Sequence, residues 1–154
     1  MNAQIHSEKQ RLDTVFKKIE GVEELELKSH WAKYLCILTS GYIENVIRHA
    51  LLEYAGNNAS PSINRYLASQ INSLTNLKCS KIVDVLNAFD AEWKEEFEKN
   101  VKNHDQLKDA IDSVIANRHL IAHGRNVGLT YATIKNYYDR VSQAMNLTYK
   151  IINQ

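Results

Sequence analysis

The stretch Asn117-Arg118-His119-Leu120-Ile121-Ala122-His123-Gly124 closes a strongly amphipathic helical pattern. Upstream of it, Leu107, Ile111 and Val114 recur at spacings of four and three, and the stripe resumes at Ile121. The slot between Val114 and Ile121 belongs to Arg118, so an arginine stands where the periodicity calls for a buried apolar residue. A guanidinium cannot be neutralised, and such a position costs stability unless the charge is paired or used. Five residues on comes His123, followed by a glycine able to stop the helix. An arginine on an apolar face with a histidine at the same helix end is a candidate catalytic pair.

Working outward, the same three-four periodicity fills the chain. A first helix is expected over roughly Ile5–Glu20, with Leu12, Val15, Phe16 and Ile19 on one face. A second is expected from an N-cap near Ser29 to a stop at Gly56-Asn57-Asn58. It carries Trp31, Leu35, Leu38, Tyr42 and Val46 on one stripe, and Tyr34, Ile37, Gly41, Ile47, Leu51 and Tyr54 on another, which makes it the expected central helix. Ser60-Pro61 opens a third helix through Ile71. Ser80 is expected to cap the next, and Asp90 to restart the chain through Trp93, Phe97 and Val101. The motif helix begins near His104-Asp105 and runs to His123, and the last helix starts near Thr130 with Tyr131, Ile134, Tyr138, Val141 and Met145 inward. No segment alternates apolar and polar with a period of two. The expectation is one all-α domain over residues 1–154, an antiparallel bundle with a four-helix core and extra short helices.

Composition narrows the function classes. Apolar residues make up 44% and charged residues 24%, values of an ordinary globular protein, and the formal charge of +1 gives no global field for nucleic acid. Residues 101–154 hold seven Lys/Arg against four Asp, a mild local excess of +3 that permits a polyanion partner. Cys36 and Cys79 have no metal-site spacing and are expected to be reduced structural thiols. The N-terminus lacks an apolar signal core, and charges interrupt the longest apolar stretch. A cytoplasmic protein without membrane association is expected.

Glu44 is the second anomaly, a carboxylate on the stripe Tyr34, Ile37, Gly41, Ile47, Leu51. Pairing Glu44 with Arg118 would satisfy two opposite charges on two apolar faces. Either the pair is structural, or it supports a site. His119 and His123 have an i, i+4 spacing compatible with a metal, but no glutamate intervenes as in zinc proteases and no third ligand follows. Metal: none is the expectation. Arg118 and His123 lie about 140° and about 7.5 Å apart on an ideal helix. They converge if the helix loosens at Ala122–Gly124, or if two copies meet across a dimer axis.

The run from Asn117 to Gly124 resembles the signature of the HEPN superfamily: an arginine with a polar neighbour, four to six residues, then a histidine. Four residues intervene here. With Gly128-Leu129-Thr130 leading into a last helix, the chain looks most like the RiboL-PSP type, over nearly its whole length. That resemblance implies a metal-independent endoribonuclease, without cofactor, acting as a homodimer on RNA in toxin–antitoxin systems, phage defence or RNA processing, with a cognate antitoxin protein as a further partner class. It makes Arg118 and His123 the catalytic pair, with Asn117 as the polar neighbour and Glu44 in support. His119, Arg125, Lys135 and Arg140 are the candidate RNA-backbone contacts. Some HEPN toxins carry a tyrosine two residues after the histidine, modified by a partner nucleotidyltransferase; Arg125 stands there in this chain. The alternative is a catalytically inactive helical module that binds a nucleotide or a partner.

Overall fold

The computed structural model describes all 154 residues, as seven α-helices and no strand. Helix α1 (Ala3–Glu20) is capped by Asn2, whose side chain accepts from the Ile5 amide. Helix α2 (Leu25–Asn58) starts earlier than the Ser29 cap implied and runs through Gly56. Leu25, Glu26, Leu27 and Lys28 are all good helix formers, so Ser29 is absorbed into the first turns. Helices α3 (Pro61–Asn72), α4 (Cys79–Phe89) and α5 (Ala91–Phe97) follow, and α5 widens into a π-helical turn over Glu98–Lys102. Asp90 restarts the chain as expected, accepting from the Glu92 amide. For α4 the expected Ser80 cap is replaced: Lys78 holds the cap position, and Asp112 of the motif helix accepts the Cys79 amide at 2.9 Å. Helix α6 (Asp105–Ala122) carries the motif, and α7 (Tyr131–Ile152) begins at Thr130, whose hydroxyl accepts from the Thr133 amide.

Directional contacts give the topology. Asn2 donates to Glu53 and Asn45 to Glu8, so α1 and α2 run antiparallel. Tyr131 donates to the Phe16 carbonyl and Tyr138 to Asp13, setting α7 antiparallel to α1. Tyr149 reaches Glu53 on α2 at 2.8 Å. The Cys36 thiol donates to the Val114 carbonyl, locking α2 to α6. Helices α1, α2, α6 and α7 therefore form an up-down-up-down core, and α3 to α5 bridge the end of α2 to the start of α6. One cluster of 37 buried apolar residues fills it, centred on Tyr42, Ile43, Val46, Ile47 and Leu51 of α2. No helix is long and apolar enough to cross a membrane.

Both stripes expected on α2 are only partly core, Trp31 of the first and Tyr34 and Ile37 of the second lying open together with Leu27. Ile47 and Leu51 are buried, but Leu27, Trp31, Tyr34 and Ile37 are 39–45% exposed. Helices α1, α6 and α7 cover the face bearing Ala32, Leu35, Cys36 and Thr39 and leave those residues open. The large exposed apolar residues all lie at Met1, on α2 or on α3, and none is on α6 or α7. Among the tyrosines, Tyr42, Tyr138 and Tyr149 are core.

The Tyr138 hydroxyl donates to Asp13 at 2.6 Å while its ring stacks on Phe16, with centroids 4.3 Å apart. Partial burial opposes ionisation of Asp13, but hydrogen bonds from Lys9 and Tyr138 outweigh it and hold its carboxyl below the ordinary value. Tyr138→Phe should cost about 1 kcal/mol in urea unfolding, a low figure because the carboxylate is half-exposed. A carboxyl with a depressed folded pKa contributes stability above its unfolded pKa and loses it as pH falls through the folded value. The difference between wild type and Tyr138→Phe should therefore narrow below about pH 4.

Candidate active site at the end of the motif helix

Helix α6 stays regular through Ala122 and ends on a double-bonded stop. Gly124 adopts φ 66°, its amide donates to the Ile121 carbonyl at 3.0 Å, and the Arg125 amide reaches back to Leu120 at 2.9 Å. This left-handed residue is where a side chain would be strained, which accounts for glycine at the end of the motif. The helix does not loosen between Arg118 and His123, so the first route to their convergence is closed. His123 caps the helix and is exposed. Its ring meets that of His119, one turn earlier, with centroids 4.4 Å apart and planes inclined by 62°. No group of three or more His, Cys, Asp or Glu side chains is arranged to hold a metal ion.

Arg118 is half-buried, and its partner is not Glu44. Its Nη1 donates to Asn76 Oδ1 at 3.1 Å, on the loop between α3 and α4. Glu44 pairs instead with Arg48, one turn on in α2, at 3.2 Å. The other Glu44 oxygen accepts the backbone amide of Asn76 at 2.9 Å. Arg48 also donates to the Leu74 carbonyl, through Nε at 3.1 Å and through Nη2. The two anomalous charges thus never touch. The 74–76 segment stands between α2 and α6, and Asn76 takes Glu44 on its backbone and Arg118 on its side chain. Asn76 holds φ 54°, a conformation that asparagine tolerates better than most residues.

The remaining expected site residues disperse. Asn117 donates back to the Ser113 carbonyl at 2.9 Å on its own helix. Arg125 is exposed just past the helix stop. Lys135, one turn into α7, is held by both oxygens of Asp139 at 2.6 Å. Arg140 lies beside His104, Asp105 and Gln106, at the end of α6 opposite the motif. The space beside Gly41 is open, with nothing within 4 Å of where a Cβ would sit. Burial pushes the thiols of Cys36 and Cys79 up to about 12, so neither supplies a thiolate near neutral pH.

A depression of about 480 Å³ opens beside α6, lined by Asn76, Lys78, Ile115, Ala116, His119 and Leu120. On α6, residues 116, 119, 120 and 123 follow one another on a single face; His123 does not line the depression but touches His119, which does. Arg118 is linked to it through its hydrogen bond to Asn76. The two halves of the motif share no face of the helix, and each touches one residue of the hollow's lining, Arg118 through Asn76 and His123 through His119. Asn76 and Lys78 had no signal in the sequence. The Glu44–Arg48 pair did, in its i, i+4 spacing.

The family model described as RiboL-PSP-HEPN, a HEPN-type domain, matches residues 3–154. The comparison with curated proteins and that with solved structures gave no match.

Two substitutions separate scaffold from site. Glu44→Ala removes the Arg48 ion pair and the anchor of the Asn76 amide, and should cost about 2 kcal/mol in urea unfolding. Arg118→Ala removes one bond from a half-exposed cation to a neutral amide and should cost less than about 1 kcal/mol. The reverse order would make Arg118 a structural charge.

Proposed function

The chain belongs to the RiboL-PSP-HEPN family, and on that premise we propose that it is an endoribonuclease cleaving RNA by attack of the ribose 2′-hydroxyl on the neighbouring phosphate. The observation that supports this most is the common depression: Asn76, which holds Arg118, and His119, which touches His123, line the same hollow. RNA carries its own nucleophile, so neither a covalent enzyme group nor a metal is needed. His123, exposed at the helix end, takes the 2′-hydroxyl proton or returns one to the departing 5′-oxygen. The new 2′-O–P bond forms as the P–O5′ bond breaks, leaving a 2′,3′-cyclic phosphate and a 5′-hydroxyl. Arg118 holds the phosphate and stabilises charge building on its oxygens. His119 lines the hollow; Arg125, exposed just past the helix stop, and Lys135, once released from Asp139, would follow the RNA backbone away from it. Arg140 would serve only RNA that extends along the bundle, or a strand crossing from a second copy.

The protein is proposed to act in the cytoplasm as a homodimer, two copies of His123 dividing the acid and base roles. An apolar surface available for self-association is the α2 stripe of Leu27, Trp31, Tyr34 and Ile37, whereas α6 and α7 expose no large apolar residue. A toxin or phage-defence RNase held in check by an antitoxin protein is the biological setting that this activity suits. The rival reading, an inactive nucleotide- or partner-binding module, uses the same hollow without turnover.

Purified protein should cleave single-stranded RNA in EDTA. His123→Ala should remain folded and lose roughly 10²–10⁴-fold in rate, the span of a general acid–base group. Arg118→Ala should also lose activity, and His119→Ala should lose less than either. Sedimentation should give a dimer at micromolar concentration. Cleavage abolished by EDTA and by His119→Ala would favour a metal site, and a verified dimer that cleaves no RNA would favour the binding module.

A further inference from the structure

We propose that the depression beside α6 seats the nucleobase next to the scissile phosphate and favours one with a keto group at its outer edge, uracil or guanine; this rests on the RNA-cleavage reading above. The floor is apolar, built from Ile115, Ala116 and Leu120, and suits the flat face of a base. The polar rim is Asn76, Lys78 and His119. The bonding of Asn76 fixes what it can offer. Its backbone amide goes to Glu44, and its carbonyl accepts from the Lys78 amide at 2.9 Å. Its side-chain oxygen accepts from Arg118. A guanidinium only donates, so the amide orientation is forced, and Nδ2 is left with its hydrogens unpaired. The Lys78 ammonium makes no ion pair or side-chain hydrogen bond. The 76–78 rim therefore presents only donors.

A donor-only edge at 76–78 over an apolar floor, with His119 at the rim able to donate or accept, selects among bases at that edge. Uracil O4 and guanine O6 accept, whereas cytosine N4 and adenine N6 carry amino hydrogens that would face other hydrogens. Because Asn76 also holds Arg118, the group that reads the base and the group that grips the phosphate are tied to one side chain. A base seated here would stand beside the phosphate on which Arg118 acts.

The test is an NMR titration of the intact protein with uridine 3′-monophosphate, cytidine 3′-monophosphate and inorganic phosphate. Uridine 3′-monophosphate should shift the amides of Ala116 and Leu120 and the Asn76 side-chain amide, and should bind roughly tenfold more tightly than the cytidine compound. Asn76→Gly tolerates the positive φ and keeps the backbone bond to Glu44, and it should erase that preference. Ala116→Trp, at an exposed position of the hollow, should reduce both nucleotides to the affinity of inorganic phosphate. Uridine-selective binding in a protein that cleaves no RNA would uphold the base site while removing the nuclease reading. Equal binding of the two nucleotides, shifts elsewhere on the bundle, or unchanged binding in Ala116→Trp would overturn the base site, even in a protein that cleaves RNA.

Discussion

A guanidinium on the apolar side of a helix must find an acceptor, and here a single amide oxygen supplies it. Asn76 accepts from Arg118, and the loop that presents Asn76 is tied to α2 by Glu44 and Arg48. Each contact fixes the next. Glu44 orients Arg48 and holds the Asn76 amide, Arg48 grips the Leu74 carbonyl, and the loop so held puts Oδ1 within reach of Nη1. The cost of a half-buried cation is offset by neutral dipoles rather than by an opposite charge. That leaves Arg118 with its full positive charge, and with hydrogens to spare for a phosphate. A direct Glu44–Arg118 salt bridge would have spent that charge internally.

The second half of the site depends on a backbone constraint. Gly124 turns the chain through a left-handed conformation one residue after His123. The helix is thereby cut off where the histidine is exposed and its ring still meets that of His119 edge-on, one turn earlier. Arg118 keeps its place on the flank of the same helix. The hollow beside α6 is walled by the loop at Asn76 and Lys78, so the α3–α4 connection completes what α6 alone cannot.

Much of the fold was legible because apolar periodicity survives wherever a helix packs on the core. The four long helices, the Asp90 restart and the start of the last helix near Thr130 all follow from spacing and capping chemistry. Ser29 misled because a serine before an apolar run looks like a cap even when good helix formers precede it. Trp31, Tyr34 and Ile37 misled because a helical stripe records apolar character, and not whether another helix covers it. In the site, Arg118 and Glu44 were visible as misplaced charges, but their relation was not. The bridge runs through a residue 42 positions from Arg118 and 32 from Glu44, in a loop with no pattern of its own. Arg48 was the readable clue, since a cation four residues after a glutamate on one helix is its nearest partner.

The central claim is that Arg118 and His123 serve a reaction in which RNA attacks itself. Its most direct test is an RNA oligonucleotide whose cleavage site is first mapped with wild-type protein and then carries a single 2′-deoxy sugar at that site. The account predicts that the unmodified strand yields a 2′,3′-cyclic phosphate and a 5′-hydroxyl by mass spectrometry, and that the substituted strand is not cut at that bond. Cleavage of the 2′-deoxy bond at a comparable rate would contradict it, because the nucleophile would then have to come from water or the protein.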